Sequence, residues 1–303
     1  MKTTRYFCIS LIMIFLTGNF YLWAQDTKFT RTEDVIYGRK DGMALTMDIF
    51  QPERPNGIAV IVLISGGWYS SHDLIDIEWI GRIKQLIDKG ETVFAVVHGS
   101  MPKYKISDIQ KDIDRAVRFV RLNAAKWGVD PESIGIVGHS SGGHLSLLHA
   151  ATAKDSSTSI NGPIGMVSAK VQAVACFYPP TDFLYFGSKG LNALSNPKFK
   201  RFLPAFINDI NDTTSLVKVA EEVSPIRYVT SNMPPTLIIS GNADKLVPFM
   251  QSQLLINRLN ELKIPCHLEV REGKDHGWPE IEKDYKFVAE WFEKYLKKHV
   301  SIN

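Results

Sequence analysis

The run Gly138-His139-Ser140-Ser141-Gly142 holds a serine with glycine at both second positions, behind the aliphatic stretch Ile134 to Val137 and ahead of a helix-like one. A strand-to-helix turn tight enough to lift a serine hydroxyl out of a sheet leaves no room for bulky neighbours, and glycines meet that demand. Ser140 is therefore the candidate nucleophile; Ser141 is the weaker choice, because only Ser140 is flanked in this way. A serine hydroxyl attacks poorly at neutral pH and needs a base, itself oriented by a third group. In a strand-turn-helix setting the order along the chain is serine, acid, histidine. Asp244, in Gly241-Asn242-Ala243-Asp244, follows the apolar run ending at Ser240, where the orienting acid belongs. His276, in Asp275-His276-Gly277, follows the last such run and is the candidate general base. Asp182 competes for the acid from one strand earlier and is read as a pocket or cap residue. Of the other histidines, His139, His144 and His149 stand too near Ser140 to swing onto it, His267 opens a strand and His299 is in the tail.

This set suits acyl transfer, in which attack on a carbonyl creates an oxyanion that N–H donors must hold. One donor is expected from the backbone of Ser141, the residue after the nucleophile. The others are expected from the loop after Ile58 to Ile64, which reads Ser65-Gly66-Gly67-Trp68: Gly67 first, with Gly66 or Trp68 beside it. No H-E-x-x-H run and no paired Cys or His at ligand spacing is present, so neither metal nor cofactor is expected. The run Val97-His98-Gly99-Ser100 reads either as a substrate contact or as a structural strand-to-helix loop.

Strand-like and helix-like blocks alternate from Asp34 onward, as they must to position these loops. Val35 to Tyr37 and Leu45 to Phe50, around Lys-Asp-Gly, read as a hairpin. Ile58 to Ile64 is a continuous aliphatic run, as for a strand covered on both faces, and Thr92 to Val97, Ile134 to Val137, Val171 to Tyr178, Thr236 to Ser240 and His267 to Arg271 read as further strands. Helical periods run over Ile75 to Asp88, from Ser107 to Trp127, over Gly143 to Ala153, Phe249 to Leu262 and Tyr285 to Lys298. Asp130-Pro131 marks a turn, and Asp155 to Ala169 a surface loop. Alternation of this kind implies a parallel sheet with helices on both faces. The stretch from Pro179 to Pro235 breaks the rhythm with aromatic residues, Pro and Asn, and reads as a cap inserted over the site. Its Phe183, Tyr185, Phe186, Phe202 and Phe206 are read as core first and as acyl or sugar contacts second.

Lys2 and Arg5, the apolar core Phe7 to Leu16 and the small residue Ala24 have the build of a cleaved export signal, residues 1–24, leaving one domain over 25–303 with its cap at about 180–233. The expected location is periplasmic or extracellular, with no membrane anchor in the mature form. The formal charge of +3 falls to about +1 once Lys2 and Arg5 are subtracted, too little for a grip on nucleic acid. Cys176 and Cys266 are expected on strands separated by a third, out of disulfide reach, as two buried thiols.

At Ser65-Gly66-Gly67-Trp68, Gly138 to Leu145, Asn242 to Pro248 and Asp275-His276-Gly277 the chain resembles the hormone-sensitive-lipase-like and carbohydrate-esterase-like branch of the α/β-hydrolases. Its nearest look is to secreted bacterial esterases related to the bifunctional feruloyl and acetyl-xylan esterases, over essentially Asp34 to Leu296. The resemblance implies a mostly parallel eight-stranded sheet with helices on both faces and a small cap. It also implies a serine carboxylic-ester hydrolase for short acyl esters, acetyl or feruloyl groups on plant polysaccharide leading. The chain departs from the family pattern in the oxyanion loop, where Ile64 and Ser65 stand in place of a His that braces the loop. Two rival readings are a prolyl-oligopeptidase-like peptidase, which shares the triad order, and an inactive hydrolase scaffold used for binding.

Overall fold

The computed structural model describes residues 28–158, 160, 162–209 and 214–297. The expected export signal and His299 lie outside them. Eight strands form one sheet: β1 (Phe29–Lys40), β2 (Met43–Pro52), β3 (Gly57–Ile64), β4 (Thr92–Val97), β5 (Val129–His139), β6 (Ala173–Phe177), β7 (Thr236–Gly241) and β8 (Cys266–Arg271). They lie in the order β1-β2-β4-β3-β5-β6-β7-β8. The β1–β2 hairpin is antiparallel and β2 runs antiparallel to β4; every other neighbouring pair is parallel. The helices are α1 (Ile80–Ile87), α2 (Ile106–Leu122), α3 (Ser141–Thr152), α4 (Pro163–Met166), α5 (Leu216–Val223), α6 (Met250–Glu261) and α7 (Tyr285–Leu296). This is the α/β-hydrolase fold.

The unbroken apolar run of β3 is explained by its two covered faces. Ala59, Ile61 and Leu63 join one core, with Ile109 and Val117 of α2, Leu145 of α3 and Leu255 of α6. Ile58, Val60, Val62 and Ile64 join the other, with Ile83 and Leu86 of α1 and Val288 and Phe292 of α7. Successive strand side chains point to opposite faces, so a strand with helices on both sides must be apolar throughout.

Several local expectations need correction. The helix expected over 75–88 begins as a π-helical turn, Ile75–Trp79, before α1 proper. Asp130-Pro131 falls inside β5, where pairing passes from Gly57 opposite Val129 to Ala59 opposite Ile134, so the turn-formers sit in a bulge. The loop after Asp155 carries the short α4, and the carbonyls of Lys154 and Lys170 on either side of that segment accept from buried Arg118 and Arg121 of α2. Cys176 on β6 and Cys266 on β8 are both free, with β7 between them. Cys176 is buried, but Cys266 sits on the edge strand and is only half-buried, so the pair is not two buried thiols. No helix among the described residues is long and apolar enough to cross a membrane.

Candidate active site

Gly138 ends β5 so close to the start of α3 that a Cβ there would lie 2.4 Å from the carbonyl carbon of Gly142. The turn forces Ser140 to φ 49° and ψ −114°, a conformation rare for any residue with a side chain. Its N–H donates to the Phe177 carbonyl at 2.9 Å and its carbonyl accepts from the N–H of His144 at 2.9 Å, which hold the turn from both sides. The hydroxyl of Ser140 is thereby presented at the N-terminus of α3, where the helix dipole favours negative charge.

His276 Nε2 lies 2.8 Å from Ser140 Oγ, and His276 Nδ1 lies 2.7 Å from Asp244 Oδ2. A carboxylate only accepts, so Nδ1 carries the proton and Nε2 is left free to accept from the serine hydroxyl. Asp244 Oδ1 accepts the N–H groups of Leu246 and Val247, both at 2.8 Å, which fixes the carboxylate plane. Its side chain is 1% exposed, whereas that of His276 is 19% exposed, so the imidazole alone of the two opens to the cleft. Asp182 is elsewhere: its Oδ1 accepts from Leu184 N–H at 2.9 Å and Tyr185 N–H at 3.1 Å, closing a turn.

A residue whose role sequence reasoning missed joins the acid and base loops. Asp275 Oδ1 accepts from the backbone N–H of Lys245 at 2.9 Å and of His276 at 2.8 Å, and Lys245 Nζ lies 3.2 Å from Oδ2. Those hydrogen bonds hold the Asp275 carboxyl down at about 2. The only sequence signal was its place beside His276. Tyr178, at φ 37°, was also missed; its ring lies 4.5 Å from that of His276, and its hydroxyl lies 3.1 Å from His139 Nδ1.

The loop after β3 turns through two left-handed residues, Gly67 at φ 57° and Trp68 at φ 62°. Gly66 donates its N–H to the Tyr69 carbonyl at 2.9 Å, so that expected oxyanion donor is already engaged. The N–H groups of Gly67 and Trp68 have no partner among the described residues and stay available, as does that of Ser141 at the first turn of α3. Ser65, standing where the resemblance expects a bracing histidine, places its Oγ 3.1 Å from Ser141 Oγ and so ties this loop to the nucleophile turn. His98-Gly99-Ser100 proves to be bracing: Ser100 Oγ donates to the Ser70 carbonyl at 2.8 Å, and Gly99 N–H donates to Asp112 at 3.0 Å.

The cleft above Ser140 encloses about 350 Å³, walled by Trp68, Trp79, Arg82, Phe199, Phe202 and Leu246 among others. Phe183, Phe186 and Phe206 are buried, as core; Phe202 reaches the cleft. A larger hollow of about 940 Å³ lies over α2, lined by residues such as Lys40, Asp112 and Arg118, and includes none of the candidate residues. Asp34, Asp48 and His72 bring ligand-type atoms within 4.8 Å of one another, but Arg31 already sits 2.7 Å from Asp48.

A family model described as BD-FAE matches residues 47–259. The chain belongs to the BD-FAE esterase family. This BD-FAE chain is 27% identical to Esterase LipC of Mycobacterium tuberculosis over 259 residues, 83% of its own length and 60% of that protein's. It is 25% identical to an acetylxylan esterase of Xylanibacter ruminicola over 270 residues, 88% of its length and 50% of the relative's. The chain thus spans about half the length of the curated relatives it matches. Among solved structures, a truncated form of a carbohydrate esterase from gut microbiota superposes with a TM-score of 0.77 at 26% identity, covering 90% of this chain and 99% of the other.

Proposed function

We propose that this protein is an exported serine carboxylic-ester hydrolase acting on short acyl esters, with acetyl or feruloyl groups on plant polysaccharide as the natural class. The observation that carries the reading is the unbroken hydrogen-bonded chain from Ser140 Oγ through His276 to Asp244. In the mechanism we propose, Ser140 Oγ attacks the acyl carbonyl and loses its proton to His276 Nε2. Asp244, accepting from Nδ1–H, holds the ring and stabilises its charged form. The N–H groups of Ser141, Gly67 and Trp68 receive the oxyanion. Collapse returns the proton from Nε2 to the departing alcohol; water, activated by the same nitrogen, then releases the acid and restores Ser140. A cleft of about 350 Å³ favours small acyl groups, standing near the lower end of small-molecule sites, roughly 300–1,000 Å³. The acetylxylan esterase and carbohydrate esterase relatives support the polysaccharide class, and the signal-like residues 1–24 support export.

The test is release of p-nitrophenol from acetyl, butyryl and octanoyl esters, and of acetate from acetylated xylan, by the wild type and Ser140→Ala. The mutation is expected to remove turnover by about a thousandfold or more, with rates falling from butyryl to octanoyl. No turnover on any ester, or full turnover in Ser140→Ala, overturns the reading.

A further inference from the structure

Two guanidinium groups stand in the wall of the same cleft without partners. Arg82 comes from α1, and Arg201 from the 3-10 segment Pro197–Ala205 between β6 and β7. Neither makes a hydrogen bond or ion pair among the described residues. Arg31, Arg118, Arg121 and Arg271, by contrast, are each held on carboxylates or carbonyls. Each of the two lies over an aromatic ring instead: Arg82 Cζ is 5.0 Å from the centroid of Trp79, and Arg201 Cζ is 4.6 Å from that of Phe202, both rings lining the cleft. A ring contact of this kind leaves the guanidinium N–H groups without acceptors, and such a group can match a carboxylate with two parallel hydrogen bonds.

The local backbone supports this. The π-helical turn Ile75–Trp79 is a rare conformation that recurs at functional sites; it carries Glu78 and Trp79 of the cleft lining and leads directly into α1, which carries Arg82. Arg82 is also close enough to the nucleophile turn for its charge to oppose protonation of buried His139. Glu78, exposed, is the one acid in that lining, and its carboxylate is not within ion-pair distance of Arg82. Two cations against one anion leave the cleft positive.

We infer that the substrate is an ester that carries a carboxylate beside the scissile bond, gripped by Arg82 and Arg201. This rests on the ester-hydrolase reading and narrows it. The carboxylate comes either from the alcohol side, as in an O-acylated uronic acid residue of an acidic polysaccharide, or from the acyl side, as in a half-ester of a dicarboxylic acid.

The experiment uses matched pairs: O-acetyl glucuronic acid against O-acetyl glucose, and p-nitrophenyl hemisuccinate against p-nitrophenyl butyrate. The quantity read is the ratio of kcat/KM within each pair, for the wild type, Arg82→Gln and Arg201→Gln. The pair that holds the true source of the carboxylate is expected to favour the acid about tenfold or more. Either substitution should lower that ratio severalfold, and 0.5 M salt should shrink it in the wild type. Ratios at or below one in both pairs, or ratios that neither substitution moves, overturn the inference while turnover of the neutral esters leaves the hydrolase reading standing. Calorimetric binding of glucuronate and succinate to Ser140→Ala, against glucose and butyramide, gives a readout independent of turnover. Binding of either acid that weakens in Arg82→Gln upholds the grip even if no ester is cleaved, and its absence for both counts against it.

Discussion

Trp68 donates its indole N–H to Nδ1 of His144 at 3.2 Å, and Nε2 of that histidine faces the Val223 carbonyl at 2.7 Å. One nitrogen accepts and the other donates, so the buried ring is held as a single neutral tautomer. The indole is also enclosed by Phe183, Phe199, Phe202 and Phe206, with centroids 4.8 to 6.4 Å away. The side chain thereby pins a residue whose backbone is left-handed and whose N–H faces the proposed oxyanion position. Of the aromatic residues between β6 and β7, Phe199 and Phe202 wall the cleft, whereas Phe183 and Phe206 reach it through Trp68.

Replacing Trp68 with Phe keeps a ring and removes the donor, leaving Nδ1 of His144 buried and unpaired. The expected cost is about 1–3 kcal/mol of stability, with a severalfold loss of kcat on an acetyl ester. Urea unfolding and initial rates measure the two. If both are unchanged, the indole N–H is idle.

Gly67→Ala should harm activity more than stability. The residue sits at φ 57°, and a Cβ would lie 2.7 Å from Phe202 Cε1. Relief requires moving either the ring or the loop that presents the Gly67 and Trp68 N–H groups. Loss of one such donor costs about 10²–10³ in kcat elsewhere, so a fall of about a hundredfold with an unchanged circular dichroism spectrum is expected.

The acid and the clamp beside it should separate on substitution. Asp244→Asn removes the charge that stabilises the imidazolium and is expected to lower kcat by on the order of 10³–10⁴. Asp275→Ala cuts the tie between the two loops and leaves the triad chemistry complete, so a loss of about tenfold is expected, with a pH profile of unchanged shape. A shifted acidic limb in Asp275→Ala would mean that this carboxylate tunes His276 directly.

Buried histidines should make the fold sensitive to mild acid. Burial pushes His98 and His144 down to about 4, and holds His139 well below its ordinary value. Unfolded, these rings take up protons near 6.5. Between about 6.5 and 4 these rings bind protons in the unfolded chain that the folded one refuses, so their contribution to stability falls as pH drops through that window and is constant above it. His98 and His144 each contribute on the order of 3 kcal/mol across it. Urea midpoints at pH 7.5, 6.5, 5.5 and 4.5 should fall slightly between the first two and steeply after; a flat series rules this out.

The sheet could be read from residues because its constraints are local. Ile58 to Ile64 is apolar in every position since both faces are covered, and Gly138 is glycine since Gly142 leaves it no space. The order of Ser140, Asp244 and His276 along the chain was legible because it matches the order the α/β-hydrolase resemblance implies. What escaped depends on contacts between distant segments. Nothing in Ser65 to Tyr69 reveals that the Gly66 N–H is taken by Tyr69, or that Trp68 meets His144, 76 residues away. The π-helical turn was invisible for a similar reason: Ile75 and Trp79 have the spacing of an ordinary helix, and only the packed core shows the wider turn. Asp275 sat inside a run already singled out, but its clamp on Lys245 spans 30 residues.

His276 approaches Ser140 across 136 residues of chain. At synthesis rates of about 5–20 residues per second, its codon is read roughly 7–27 s after that of Ser140. Even once Phe177, whose carbonyl holds the nucleophile turn, has been made, the proton acceptor is still 99 residues away. Throughout that interval the triad we propose lacks its base, which the loop after β8 supplies last.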